Sequence, residues 1–275
     1  MAHEMDVILS IVRDGGRIAL RLMGNCRPEL KSDASVITQA DMAISSLAQE
    51  RLKPFLKTGE HILIDEENIS KTGKPADVLS RDVPFIWAID PIDGTRPYAN
   101  NMPQYAVSLG LIKDKKPWLG AVYFPTMREL FYCDGNDAWF VTDPFSFRAR
   151  KKRIIPVNAE ISSRSVFIAT DEVLEKFTWR SPDCRMMIFA SAVSEFCWPS
   201  IGRGCGSLSR VFIWDLAGSW PIAIHAGLRF RSLQTGRPLD YLEPEIFDES
   251  WRLKDHYILS SENNFDLLRN KLNLI

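Results

Sequence analysis

The sequence predicts a mixed α/β fold, and three stretches carry that prediction. Residues 3–23 space Val7, Ile8, Ile11, Val12, Ile18, Ala19 and Leu22 along one helical face, with Asp6, Arg13, Asp14 and Arg17 on the other. Phe85–Ile89 form a short apolar run suited to a strand buried on both faces. From 105 onward the pattern turns to strands at 105–112, 117–124, 129–133 and 137–141, separated by KDKKP and DGND turns. Helix and sheet therefore alternate in the first half and must bury their apolar faces against one another.

Taken in order, the first helix ends at Gly24-Asn25, where glycine serves as a C-terminal stop. Thr38 is placed to N-cap a second helix running through Ile44, Leu47 and Leu52 to Pro54, with Asp41 in its first turn, where the dipole favours an acid. HILIDEEN, 61–68, reads as a short strand ending in three acids, Asp65, Glu66 and Glu67, and 71–83 as a polar connection. The basic run RARKKR, 148–153, has no interleaved aromatics and reads as a solvated hairpin or loop. Beyond it come a strand at 165–169, a helix from Asp171, a strand at 186–189 and a helix-like stretch to Pro199. GRGCGS, 202–207, follows a helix instead of preceding one and is read as a loop. Asp215 opens an apolar helix over 213–227, and a strand and helix close the chain. A boundary near 145–160, where the meander ends, divides the chain into subdomains 1–150 and 151–275.

Composition removes several function classes. The chain has 275 residues, 45% hydrophobic and 25% charged, which is ordinary for a globular protein. A net charge of −1 gives no general electrostatic attraction to nucleic acid or to an acidic membrane. No apolar run approaches a membrane span, and MAHEMDVILS does not read as a signal peptide. Cys26, Cys133, Cys184, Cys197 and Cys205 are scattered without CxxC spacing and read as free thiols of a reducing cytoplasm. His3, His61, His225 and His256 form no ligand pair, so a histidine-held metal is not indicated.

The chemistry is concentrated in WAIDPIDGTRPY, 87–98. Asp90 ends an apolar strand, where a carboxylate is costly unless a cation meets it. Asp93 adds a second acid, Gly94 lets backbone approach a ligand, and Thr95 brings a hydroxyl. Hard oxygen ligands of this kind suit magnesium held beside a phosphate, although Asp, Pro and Gly also make ordinary acidic turns. The wider string DPIDGT after an apolar strand resembles the signature of the inositol monophosphatase family of magnesium-dependent, lithium-sensitive phosphatases. Three further segments fit it. VITQAD at 36–41, behind Lys31, matches a V-T-x-A-D segment with one residue inserted. Glu66-Glu67 matches a Gly-Glu-Glu segment, with Asp65 in the glycine's place, and Trp214, Asp215, Ala217 and Gly218 match W-D-x-A-(A/G).

The resemblance implies a layered αβαβα sandwich of the inositol monophosphatase/fructose-1,6-bisphosphatase type, two or three Mg2+ ions per site, and a homodimer. It implies that Glu66, Asp90, the Ile92 carbonyl, Asp93 and Asp215 ligate metal. Glu66, with Thr95 oriented by Asp41, would position and deprotonate the metal-activated water, and the amides of Gly94 and Thr95 would hold phosphate. Ser191 and Ala192 fall in a segment that lines the family's substrate pocket. Arg210 stands near the position where inositol-selective members carry a glutamate, and is expected to meet an anionic or acceptor-rich leaving group. The implied activity is hydrolysis of a small phosphorylated alcohol, inositol monophosphate-like. Histidinol phosphate, a sugar phosphate and a nucleotide 3′-phosphate stay open as substrates, as does a non-catalytic phosphate binder on the same fold.

Overall fold

The computed structural model describes residues 2–25, 29–30, 36–157 and 160–275. Lys31 and Cys26 lie outside these residues. The chain begins with α1 (Ala2–Leu22), the short antiparallel pair β1 (Glu29–Leu30) and β2 (Val36–Ile37), and α2 (Gln39–Leu56). Next come β3 (His61–Asp65), a 3-10 turn over Glu66–Lys71, α3 (Pro75–Leu79), β4 (Phe85–Asp93) and α4 (Thr95–Ala99). The meander is β5 (Ala106–Lys113), β6 (Lys116–Phe124), β7 (Glu129–Cys133), β8 (Ala138–Thr142) and β9 (Arg150–Arg153). The second half holds β10 (Ser165–Ala169), α5 (Val173–Lys176), β11 (Phe177–Trp179), β12 (Cys184–Ile188), α6 (Ser194–Cys197) and β13 (Gly206–Ser209). It ends with α7 (Ile213–His225), β14 (Arg229–Ser232), β15 (Tyr257–Ser260), α8 (Phe265–Arg269) and β16 (Leu272–Leu274).

Seven strands form one sheet in the order β3-β4-β5-β6-β7-β8-β9, and five form another in the order β12-β10-β13-β15-β14. Three apolar clusters lie between layers. Ile8, Ile11, Val12, Ile44 and Leu52 of α1 and α2 meet Trp87, Ile89, Leu109 and Ala121 on one face of the large sheet. The other face packs on α7, whose Leu216, Ala217 and Trp220 also join Ile168 and Leu259 of the smaller sheet. Phe167, Leu208 and Ile258 on the far side of that sheet meet Val173, Phe265 and Leu268. The order is helix, sheet, helix, sheet, helix: the expected layered sandwich. A central helix must be apolar all round, and Ile213 to Ala223 of α7 are buried throughout.

The boundaries follow local chemistry. Thr38 caps α2, and Pro54 sits inside the helix, which continues to Leu56 past the expected stop. The polar connection at 71–83 contains α3, started by Pro75 at a position where a missing N–H is harmless. RARKKR takes the hairpin form of the two expected: Arg150–Arg153 pairs antiparallel with β8 as the exposed edge strand of the large sheet, with Lys151 over the Trp139 ring at 3.6 Å from its centroid. Charge on an edge strand discourages further pairing. The helix expected from Asp171 is only the four residues of α5. Among the described residues, no helix is long and apolar enough to cross a membrane.

Candidate active site

One cavity of ≈ 300 Å³ gathers Glu66, Asp90, Ile92, Asp93, Gly94, Thr95, Ser191, Ala192 and Asp215 from segments far apart in sequence. Asp90 and Asp93 come from the end of β4, where the pairing with β5 slips between them. Asp215 comes from the first turn of α7. Each of the three offers a carboxylate oxygen, all within 4.8 Å of one another, and all three are buried. Glu66, at the start of the 3-10 turn after β3, borders the same cavity outside that closest set.

The electrostatics of the cluster are those of acids waiting for a cation. Burial, then the charges of Glu66, Asp215 and Asp93, raise the Asp90 carboxyl well above its ordinary range. Asp90 Oδ1 is buried with no hydrogen-bond partner. Burial and the neighbouring Asp93 charge push Asp215 up to about 8. Burial also raises Asp93, to about 6, against hydrogen bonds from Ser191, Val193 and Ala192 that pull it down. Among the described residues, the lining includes one basic side chain, Arg96, 3.9 Å from Asp171. Buried like charges of this density need an external positive charge, and the all-oxygen donor set fits a hard divalent ion.

Several residues of the site and its surroundings also make contacts of their own. Ser191 and Ala192 border the cavity but also grip Asp93: the Ser191 hydroxyl donates to Oδ2, and the Ala192 amide to Oδ1 at 2.8 Å. The Ile92 carbonyl, expected to face metal, accepts the Thr95 hydroxyl at 2.9 Å. That proton is therefore committed, and the Thr95 oxygen is left to accept. Asp41 is buried, and its Oδ2 takes the Thr38 amide at 2.8 Å and the Thr38 hydroxyl at 2.6 Å. This oxygen closes a capping box at α2. Asp65 turns away from the cluster. It accepts from Ser45 at 2.6 Å, Gln49 at 2.8 Å, Asn68 at 3.1 Å and the Glu67 amide at 3.1 Å.

Arg210 is not on this cavity. It lines a separate one on the far side of the Asp171–Glu172 turn, with Nε 3.5 Å from Glu172. Arg210 was expected to meet the leaving group, but β13 ends at Ser209, and Phe212 and Trp214 take the wall instead. Their rings stack at 4.6 Å and 6°.

Glu195 escaped the sequence reading. It sits in α6, is 1% exposed, lines the cavity and has Oε2 buried without a partner. Burial, then Asp93, Asp215 and Asp171, raise its carboxyl well above the ordinary range. An acid inside the run SAVSEFC was the available signal, since such a run otherwise buries every residue.

Gly94 makes the turn between β4 and α4. Its φ is +82°, and a Cβ there would meet the Gln104 carbonyl at 2.6 Å, so only glycine fits. Ala190, opposite it, holds φ at +53°, a conformation glycine would adopt without strain.

The chain is 25% identical over 254 residues to the 3′(2′),5′-bisphosphate nucleotidase CysQ of Salmonella typhimurium, covering 88% of this chain and 96% of that one. It is 26% identical over 198 residues to inositol monophosphatase 1 of Solanum lycopersicum, covering 70% and 68%. The fold matches Thermotoga maritima IMPase with a TM-score of 0.73 at 19% identity over 98% and 96% of the chains. It matches the extragenic suppressor protein suhB of Bartonella henselae at 0.72 and 19% over 98% of each. The inositol monophosphatase family profile matches residues 6–264, and the chain belongs to that family.

Proposed function

We propose that this protein is a divalent-metal-dependent phosphomonoesterase acting on a small phosphorylated alcohol. The observation that carries the reading is the convergence of Asp90, Asp93 and Asp215 within 4.8 Å, buried and, among the described residues, without an ion-pair partner. These three would hold magnesium, with Glu66 and the second lone pair of the Ile92 carbonyl completing a site for two or three ions. When bound, the metal neutralises charge on the phosphate oxygens and lowers the pKa of water. Glu66 would take a proton from the attacking water, whose oxygen forms the new bond to phosphorus as the ester P–O bond breaks and the departing alkoxide takes a proton from solvent to leave as the alcohol. The Thr95 oxygen, its own proton spent on Ile92, orients that water by accepting its second hydrogen. Asp41 would help to orient Thr95, and it also fixes the start of α2. Gly94 and Thr95 contribute backbone amides to the phosphate. Lithium inhibition, a cytoplasmic setting and a dimer belong to the same proposal by family likeness.

The leaving group meets a wall of Glu195, Asp171, Phe212 and Trp214. Glu195 Oε2 is the natural acceptor for a hydroxyl or ammonium of the alcohol. The Phe212–Trp214 stack offers a flat apolar face, which favours a ring-bearing alcohol and keeps a nucleotide 3′-phosphate as the second reading, in line with the CysQ likeness. Phosphate release from inositol 1-phosphate, histidinol phosphate, sugar phosphates and a 3′,5′-bisphosphate nucleotide, with magnesium and with chelator, tests both. Release from none of them in magnesium would leave a phosphate binder as the reading.

A further inference from the structure

A second cavity, of ≈ 720 Å³, lies where the smaller sheet meets the C-terminal segment, and it shares no lining residue with the acidic site. Its charge is opposite. Lys176, Arg210, Lys254 and Arg269 line it, against one acid, Asp255. Glu172, beneath, is engaged by Lys176, by Arg252 at 2.9 Å and by Arg210 at 3.5 Å. Lys254 and Arg269 differ from these. Lys254 Nζ donates to the Glu245 carbonyl at 2.9 Å and Arg269 to the Gln234 carbonyl at 2.6 Å. Among the described residues, neither has a carboxylate within ion-pair distance. Asp255 is occupied by Ser232 and by its neighbours' amides, that of Gln234 at 3.4 Å and that of His256 at 2.7 Å.

Two positive charges without an ion-pair partner among the described residues thus line one chamber, against the single carboxylate of Asp255. Arg210 Nε and His256 Nε2, both buried, face Glu172 Oε2 at 3.5 and 3.6 Å. Asn270 and Asn273 add amide donors at the rim, while Phe177, Leu233 and Leu272 supply an apolar wall. A chamber of this size, apolar on one side with convergent donors on the other, has the character of a small-molecule site. Concentrated positive charge at its walls selects an anion, and two such charges match a dianion.

We propose that this cavity binds a small organic phosphate or phosphonate dianion through Lys254 and Arg269, with its apolar body against Phe177, Leu233 and Leu272. The site is separate from the proposed catalytic centre and does not depend on that activity. Arg210 connects the two regions through the backbone, two residues before Phe212 on the acidic wall.

Phenylphosphonate is a suitable probe, since it cannot be hydrolysed at a P–O–C ester and carries a ring. Calorimetric titration is run in chelator and low salt, where the metal-free acidic site repels anions. Saturable binding is expected, at least about tenfold tighter than inorganic phosphate and at least about tenfold weaker in K254Q/R269Q. Both replaced side chains lie at the cavity rim, and circular dichroism checks that the variant is folded. Amide shifts in heteronuclear NMR provide a second readout on unaltered protein, expected at Phe177, Leu233 and Leu272. The proposal is overturned by absence of saturable binding to the wild-type chain, by equal affinity in a folded K254Q/R269Q, or by shifts confined to 90–95 and 212–215.

Discussion

A hydroxyl whose proton is already given away can only accept, and this decides what Thr95 does. Its bond to the Ile92 carbonyl aims the oxygen and leaves the charge of the site unchanged. Thr95→Ala should therefore lower turnover by about 10²-fold while metal affinity stays close to wild type. Asp90→Asn removes a buried carboxylate at the centre of the cluster and should weaken metal binding by an order of magnitude or more. Calorimetric titration with manganese separates the two, and equal losses of affinity would contradict both roles. Glu195→Gln keeps shape and burial but alters what the side chain accepts and donates. It should raise KM for the preferred ester several-fold and reorder the substrate panel, with hydrolysis of a small generic phosphate ester little changed. The acids of the site were legible in the sequence because DPIDGT and IWDLAG put carboxylates at the ends of apolar runs, where they are expensive. Glu195 and Arg210 were not, because a side chain's direction off a short helix or strand end is set by tertiary packing, which local pattern does not encode.

Asp215 reaches Asp90 only because α7 lies almost directly on the large sheet. A Cβ on Gly110 of β5 would stand 2.2 Å from the backbone of Ala217, and one on Gly120 of β6 would stand 2.2 Å from the Gly218 carbonyl. Gly110→Ala should lift the helix and destabilise the fold by about 1–3 kcal/mol or more, with metal affinity falling in parallel. Urea denaturation with a metal titration checks this; a stable variant of unchanged affinity would mean the helix is positioned otherwise. In the sequence these glycines looked like weak points in two strands, and their use as a seat for a helix appears only once the layers are stacked. On the opposite face Asp14 ties α1 to α2 through Arg51 at 2.6 Å, beside Arg13 and Arg17. The Arg13 hydrogen bond, reinforced by Arg51, holds its carboxyl far below the usual range. A depressed folded-state pKa contributes stability above the unfolded value of about 3.9 that is lost as pH falls below it. Asp14→Asn should lower stability at neutral pH by about 1 kcal/mol, seen as a lower Tm, and converge with wild type in acid. A constant gap across the acid range would contradict it.

At the scale of the whole molecule, the five layers set two cavities of opposite charge on either side of the Asp171–Glu172 turn. The layered order and the large meander could be read from strand spacing and family resemblance. The edge-strand role of 150–153 and the hidden α3 could not, since an edge strand needs no apolar face and a five-residue helix leaves no periodicity. Because the acidic cluster carries more buried negative charge than the protein itself offsets, divalent metal should raise the Tm of the wild-type chain, with a smaller rise for Asp215→Asn. If this cluster is a metal site serving phosphate ester hydrolysis, phosphate release from inositol 1-phosphate and a 3′,5′-bisphosphate nucleotide will report it, assayed in magnesium, in chelator, and in magnesium with Asp215→Asn. Release from at least one ester in magnesium, abolished by chelator and reduced by at least about 10²-fold in Asp215→Asn, is the predicted result. Release that survives chelation or the loss of Asp215 would contradict it.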